Sequence, residues 1–216
     1  MQLSGFLFLF IVIILFLCDF LGHGVISDLN SEAELQKINK DPRKFKASFI
    51  LLIIENISII LLAIMLLIAF NSFNLILGII WTIFRMGESL IQIYNKKNYW
   101  GLFKLARQYS EAKDTKKEEL VDLGRSILKT KITIFTYAQI LFSIGTLAYS
   151  ILFVIYEAIP LFIGWFGIVT SIIYGLGNGI KLVKPKFEAL WKLGALLVFI
   201  FEFGLGVYLL FSPLFI

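Results

Sequence analysis

Six long apolar runs follow one another along this chain of 216 residues. Each run has about twenty residues, the length that a helix needs to cross a hydrocarbon core about 30 Å thick. Backbone in lipid must satisfy its own hydrogen bonds, so runs of this length predict helices. The predicted spans are residues 3–21, 47–70, 73–94, 131–156, 161–182 and 193–211. We therefore expect an all-α, polytopic integral membrane protein built as a six-helix transmembrane bundle.

Composition and charge limit the number of domains, the cofactors and the partners that this chain can have. Apolar residues make up 59% of the chain, more than in a soluble domain, and the length favours a single transmembrane domain over residues 1–216. One cysteine, Cys18, and one histidine, His23, are too few for a metal cluster or a haem, so we expect no metal and no cofactor. The net charge of +5 comes from connections between spans. Anionic headgroups explain it, so we expect membrane lipids and no nucleic acid as partners.

The basic residues indicate an orientation. Nineteen of the twenty Lys and Arg residues lie in the connections that follow the first, third and fifth spans, if Lys131 and Lys181 at the adjoining span ends are included. The termini and the two short turns carry none of them. The positive-inside rule then predicts a multi-pass protein of the cell membrane, with both termini outside and the basic connections in the cytoplasm.

The connection over residues 95–130 is predicted to be an amphipathic cytoplasmic segment. Tyr99, Trp100 and Phe103 share a helical face with lysines around it, a pattern typical of a helix at the membrane interface. From about Thr115 the helical period continues into the fourth span, so we predict one long helix as far as Tyr156.

Short turns and small residues predict how the spans pack. The turn at residues 71–74 indicates that spans two and three form an antiparallel hairpin. Glycines at 175, 177 and 179 allow several interpretations: span five unwinds there to expose its backbone, or the glycines only permit close packing or end the helix. The fourth span carries a polar seam suited to helix packing, formed by Thr136, Gln139, Ser143, Thr146 and Ser150.

One arginine, Arg85, lies near the centre of the third span. A full charge at bilayer depth costs at least about 2.5–3.5 kcal/mol, so this side chain is expected to point inward and to find partners. Glu88 lies on the same helix face, and Glu202 lies near the midpoint of the last span. We predict a buried polar cluster, functioning as a ligand site or an ion pair, with these members: Arg85, Glu88, Glu202, Glu55, Gln92 and Asn178.

The charges of that cluster allow two interpretations. Arginine is effectively always charged, whereas three ionised carboxylates facing it would leave a net negative charge in a poorly solvated place. Either a carboxylate keeps a proton, or a cation or cationic solute shares the site. In the other interpretation, Arg85 and Glu202 are a structural ion pair that only fixes which helices are neighbours.

Several short motifs resemble a known family. These are residues 81–88 (WTIFRMGE), residues 142–149 (FSIGTLAY), Pro160 followed by residues 164–167 (GWFG), and Glu202 in an apolar last span. Together they resemble DUF4386, a prokaryotic family of multi-spanning membrane proteins known only as a domain of unknown function. The resemblance implies an integral membrane protein of a prokaryotic cell membrane, and it supplies no activity, ligand or catalytic residue.

Three functions are compatible with these patterns. The first is a non-enzymatic protein that binds or moves a small solute, proton or cation at the Arg85 cluster. The second is an intramembrane lipid-modifying enzyme that uses Glu55 or Glu88; the scarcity of histidine and cysteine argues against it. The third is an assembly or partner subunit whose polar seams bind another membrane protein.

Overall fold

The structure is a computed structural model that describes residues 1–24, 30–184 and 187–212. All regular structure within these ranges is helical, in seven helices. They are α1 (Gln2–Phe20), α2 (Ser31–Lys40), α3 (Pro42–Phe70), α4 (Leu75–Glu111), α5 (Asp114–Ile155), α6 (Leu161–Val183) and α7 (Ala189–Phe211). All but α2 are long and apolar enough to cross a membrane, which confirms the predicted fold class. Parts of two basic connections (25–29, 185–186) and the end of the C-terminus (213–216) lie outside the described residues.

Spans two and three form the predicted hairpin. Helix α3 ends at Phe70, and the Asn74 side chain accepts a hydrogen bond from the Leu77 backbone N–H at 3.0 Å, which caps α4. Farther along, Thr82 Oγ1 lies 3.5 Å from the Ala63 carbonyl oxygen of α3. The two helices therefore run antiparallel side by side from this turn.

Helices α4 and α5 are longer than a bilayer requires. The predicted long helix from Thr115 to Tyr156 is present as α5, Asp114–Ile155. The aromatic segment after Tyr94 is the continuation of α4 as far as Glu111, so residues 95–130 form the end of one helix and the start of the next.

Helix α2 lies between the first two predicted spans, 3–21 and 47–70, where no helix was predicted from the sequence. It runs from Ser31 to Lys40. The Asn30 side chain caps it by accepting a hydrogen bond from the Ala33 N–H at 3.1 Å, and Leu35 and Ile38 are buried. An N-cap Asn followed by acidic residues in the first turn and lysines in the last is the sequence signal that predicts it.

The described chain divides into two compact units. Unit 1 comprises residues 1–13, 56–90 and 136–212, and unit 2 comprises residues 14–55 and 91–135, apart from the undescribed positions. The single domain expected from the length stays a prediction.

Within unit 1, glycines let α6 pack closely on α7. A Cβ on Gly177 would lie 2.8 Å from the Trp191 backbone, and one on Gly194 would lie 2.7 Å from the Tyr174 Cα. Helix α6 runs through residues 175–179 without interruption. The interpretation that span five unwinds there is therefore wrong. Close packing explains Gly177, whereas an added Cβ at Gly179 would meet no atom within 4 Å.

Candidate functional site

The candidate site in unit 1 is built around the Arg85 side chain, which is 2% exposed. Its Nη1 lies 2.8 Å from Glu88 Oε2, three residues along α4, and its Nη2 lies 3.6 Å from Glu202 Oε1 on α7. We call these three residues the Arg85 triad. The structure therefore brings together three of the six predicted residues, from two helices that are far apart in sequence.

Aromatic rings enclose the guanidinium. The Arg85 Cζ lies 4.5 Å from the centre of the Phe142 ring on α5 and 5.3 Å from that of Trp81, one turn earlier on α4. A cation over an aromatic face is stabilised by about 0.5–2 kcal/mol, more where water is excluded. The rings therefore stabilise the charge of Arg85 and contribute to its burial.

The packing of α4 on α5 brings these groups together. The Trp81 and Tyr149 rings lie 4.7 Å apart, and one turn along the antiparallel pair Arg85 lies opposite Gly145. A Cβ at Gly145 would be 3.3 Å from Arg85 Cγ, so the glycine leaves room for the arginine stem. The helical period of α5 then places Phe142 one turn away, over the guanidinium.

Three donors of the site make no hydrogen bond in the described part of the chain: Arg85 Nε, Arg85 Nη1 and Trp81 Nε1. Of these, Nη1 lies at ion-pair distance from Glu88. Buried polar groups are nearly always hydrogen-bonded, so such donors are candidates for contact with a bound polar species. They lie on the face of α4 that carries the triad.

Glu202 is the weakly held member of the triad. The residue is 9% exposed, and Arg85 is the one basic side chain of the described residues within ion-pair distance of it. That guanidinium lies nearer to the Glu88 carboxylate, at 2.8 Å against 3.6 Å. Glu202 therefore shares its counter-charge, the Arg85 guanidinium, with a second carboxylate that lies closer to it.

Asn178 of α6 belongs to a second polar group in unit 1. Its Nδ2 donates to the Tyr174 carbonyl oxygen at 2.9 Å, and the Tyr174 hydroxyl donates to Gln139 Oε1 of α5 at 3.1 Å. All three side chains are buried. The polar seam of span four is thus used inside the chain, since Ser143 also packs on Gly175.

The other two predicted members, Glu55 and Gln92, belong to unit 2. Glu55 is half-buried there, and its charge acts on Lys96, Tyr99 and Cys18. Gln92 is buried, and its Oε1 has no hydrogen-bond partner among the described residues. Whether the six residues form one functional site stays a prediction.

A comparison with known protein families bears on identity. Residues 3–212 match the model of a family described as "Domain of unknown function (DUF4386)". The chain belongs to this family. No curated protein and no solved structure matches this DUF4386 protein. The resemblance expected from the motifs around Arg85 and Glu202 is therefore confirmed, and the family description names no activity.

Sequence reasoning missed two residues of the site in this DUF4386 protein, Phe142 and Gly145. Both lie on the face of α5 that also carries Gln139 and Thr146, so the helical period of the polar seam was the signal available. In the part of the chain that the structure describes, no three His, Cys, Asp or Glu side chains converge as a metal ion would require.

Proposed function

We propose that this protein is a non-enzymatic membrane protein that binds or moves a small solute, proton or cation at the Arg85 triad. The geometry favours a proton or a small monovalent cation, with the Glu202 carboxylate as its ligand. The observation that carries the proposal is the unequal sharing of one guanidinium, 2.8 Å from Glu88 and 3.6 Å from Glu202.

The physical argument starts from the burial of Glu202. An ionised carboxylate removed from water is costly unless a close partner compensates its charge. Arg85 supplies that compensation from a longer distance while it contacts Glu88. A proton or cation bound to Glu202 compensates the remaining negative charge of its carboxylate. It also weakens the attraction between Glu202 and Arg85, which joins α7 to α4. Binding at this carboxylate is thereby coupled to the contact between the two helices.

The alternatives are less well supported. A lipid-modifying enzyme requires a nucleophile or a metal beside its acid and base, and Arg85 is surrounded instead by aromatic rings. A partner subunit that used the seam of span four would need side chains such as Gln139 and Ser143 to be accessible. They pack against α6 of the same chain.

The proposal includes an orientation in the cell membrane. Both termini lie outside and the basic connections face the cytoplasm, as the positive-inside rule predicts from nineteen of twenty basic residues. Cysteine labelling of Lys116→Cys in a Cys18→Ala background, with an impermeant maleimide on intact cells, tests it. Labelling only after the cells are permeabilised supports this orientation, and labelling of intact cells would show the opposite orientation.

Infrared difference spectroscopy on the purified protein tests the binding step. We expect a pH-dependent carboxylic acid band that disappears in Glu202→Gln, and that Na⁺, K⁺ or Li⁺ reduces if a cation is the ligand. The exposed Glu119→Gln on α5 is the matched control and should keep the band. A band absent from wild type at every pH, together with no cation response, would refute the proposal. A band lost in Glu88→Gln and kept in Glu202→Gln would overturn the assignment to Glu202.

A further inference from the structure

Unit 2 contains two lysines that are as buried as its apolar core. Lys96 on α4 is 6% exposed and Lys131 on α5 is 3% exposed. Both ammonium groups contact the Tyr99 ring, with Nζ 4.7 Å from its centre for Lys96 and 4.1 Å for Lys131. Two buried ammonium groups therefore lie on one aromatic side chain.

A buried hydroxyl lies on the same ring. Tyr99 is 3% exposed, and its Oη has no hydrogen-bond partner among the described residues. Buried hydroxyls that lack a partner are rare, because the lost hydrogen bond to water is not replaced. The ring therefore presents a donor for which the described chain supplies no acceptor.

The backbone around these groups is fixed by an amide pair. The fully buried Asn95 donates through Nδ2 to the Lys131 carbonyl oxygen at 3.0 Å, which ties α4 to α5 at this level. Asn98 in turn donates through Nδ2 to Asn95 Oδ1 at 2.8 Å. These hydrogen bonds fix the position of α4 relative to α5 at the two lysines, so the lysine backbones are held in place without a ligand.

Two carboxylates attract the lysine charges: Glu55 attracts that of Lys96, and Glu34 attracts that of Lys131. Both are half-buried. The positive charge of Lys37 repels that of Lys131. The neighbourhood therefore combines acidic compensation with additional positive charge.

His23, between α1 and α2, reports on the local potential. Its pKa is lowered to about 4, first by burial and then by the positive charges of Lys37 and Lys131; Asp41 opposes and Lys44 reinforces this shift. The imidazole is therefore neutral at pH 7, and its Nδ1 has no partner within the described ranges. The charges of Lys37 and Lys131 thus act on His23 in the same direction as its burial.

We propose that Lys96, Lys131 and Tyr99 form a binding site for a phosphate group, supplied by an anionic lipid headgroup or by free phosphate. Phosphate oxygens accept charge-assisted hydrogen bonds from lysine and a further one from a phenol. The lysines lie just beyond the apolar parts of α4 and α5, where lysine and tyrosine meet headgroups in membrane proteins.

Binding measurements on the full chain in neutral detergent test the site. The probes are dioctanoyl phosphatidylglycerol, dioctanoylglycerol as the same lipid without phosphate, and inorganic phosphate, followed by native mass spectrometry and by melting temperature. We expect phosphatidylglycerol to bind, and Lys96→Gln to weaken it about tenfold or more. The matched control is Lys97→Gln, an exposed neighbour on the same helix with the same change of charge, which should bind as wild type does.

Tyr99→Phe keeps the ring and removes only the hydroxyl, so it carries the test even if Lys96→Gln does not fold. We expect it to weaken binding about threefold to tenfold. Competition by inorganic phosphate supports free phosphate as the ligand, and binding of the lipid without such competition supports a headgroup. Equal affinity in wild type and Tyr99→Phe, equal losses in Lys96→Gln and Lys97→Gln, or equal binding of dioctanoylglycerol would overturn the proposal.

Discussion

Arg85 of α4 and Glu202 of α7 form an ion pair inside unit 1, with Nη2 and Oε1 3.6 Å apart. The pair joins the third and the last membrane-span helices, and the same guanidinium also holds Glu88. Removing the guanidinium would leave the buried carboxylates of Glu88 and Glu202 without that counter-charge. Substitution of Arg85 is therefore the most direct test of the site.

Arg85→Met is expected to destabilise the protein by about 3–5 kcal/mol, because it breaks a buried ion pair and leaves its partners in place. The matched control is Arg125→Met, which removes an exposed arginine from a pair of the same spacing, with Asp122. We expect that change to cost less than about 1 kcal/mol. Melting temperatures in detergent compare the two. Equal melting of Arg85→Met and wild type would show that Arg85 is not buried in an ion pair.

Gly177→Ala is expected to lower the melting temperature because the new Cβ would lie 2.8 Å from the Trp191 backbone and force α6 away from α7. Gly179→Ala, two residues away on the same helix, has no atom within 4 Å of the new Cβ. That control should be neutral or stabilising by up to about 1 kcal/mol through helix propensity. A loss of stability in Gly179→Ala as large as in Gly177→Ala would contradict the close approach of α6 and α7.

Tyr174→Phe is expected to cost about 1–2 kcal/mol, because the Gln139 Oε1 that accepts its hydroxyl at 3.1 Å stays buried and loses its donor. Tyr137→Phe on α5 removes the same hydroxyl from an exposed ring and should leave thermal stability unchanged. Thermal denaturation of the two variants side by side measures the difference. A Tyr174→Phe protein as stable as Tyr137→Phe would indicate that water replaces the lost donor.

Acid should destabilise the protein through His23. Its pKa is lowered from 6.5 to about 4 in the folded chain, so the unfolded chain binds a proton that the folded chain does not. Stability contributed by the neutral imidazole is therefore complete above pH 6.5 and falls as the pH drops towards 4. The difference in melting temperature between wild type and His23→Gln, followed from pH 7.5 to pH 4.5, measures this contribution. A difference that does not change with pH would argue that His23 is solvated.

The helices were predictable because their determinants are local. An apolar run long enough to cross lipid becomes a helix whatever its neighbours are, and the turn at residues 71–74 and the long helix α5 follow from the same local periodicity. Helix α2 was missed because its amphipathic pattern is short and lies in a polar stretch, although its N-cap at Asn30 was readable.

The site was only partly predictable. The pairing of Arg85 with Glu88 follows from helical spacing, and the choice of Glu202 follows from depth within the last span. The grouping of Glu55 with Lys96 and Tyr99 depends on which helices meet, and no spacing within one helix encodes that. The burial of Lys96 and Lys131 was hidden for the same reason, since a lysine beyond an apolar span is expected to be exposed.

The sequence by itself determined that this chain crosses a membrane on six helices and that one arginine must be enclosed among them, because the cost of unpaired backbone and charge in lipid is set by composition along the chain. Only the tertiary structure decided which carboxylates meet that arginine, which rings cover it and which lysines are buried on Tyr99. Those contacts join residues far apart in sequence, and their energies depend on helix packing, which local patterns leave open.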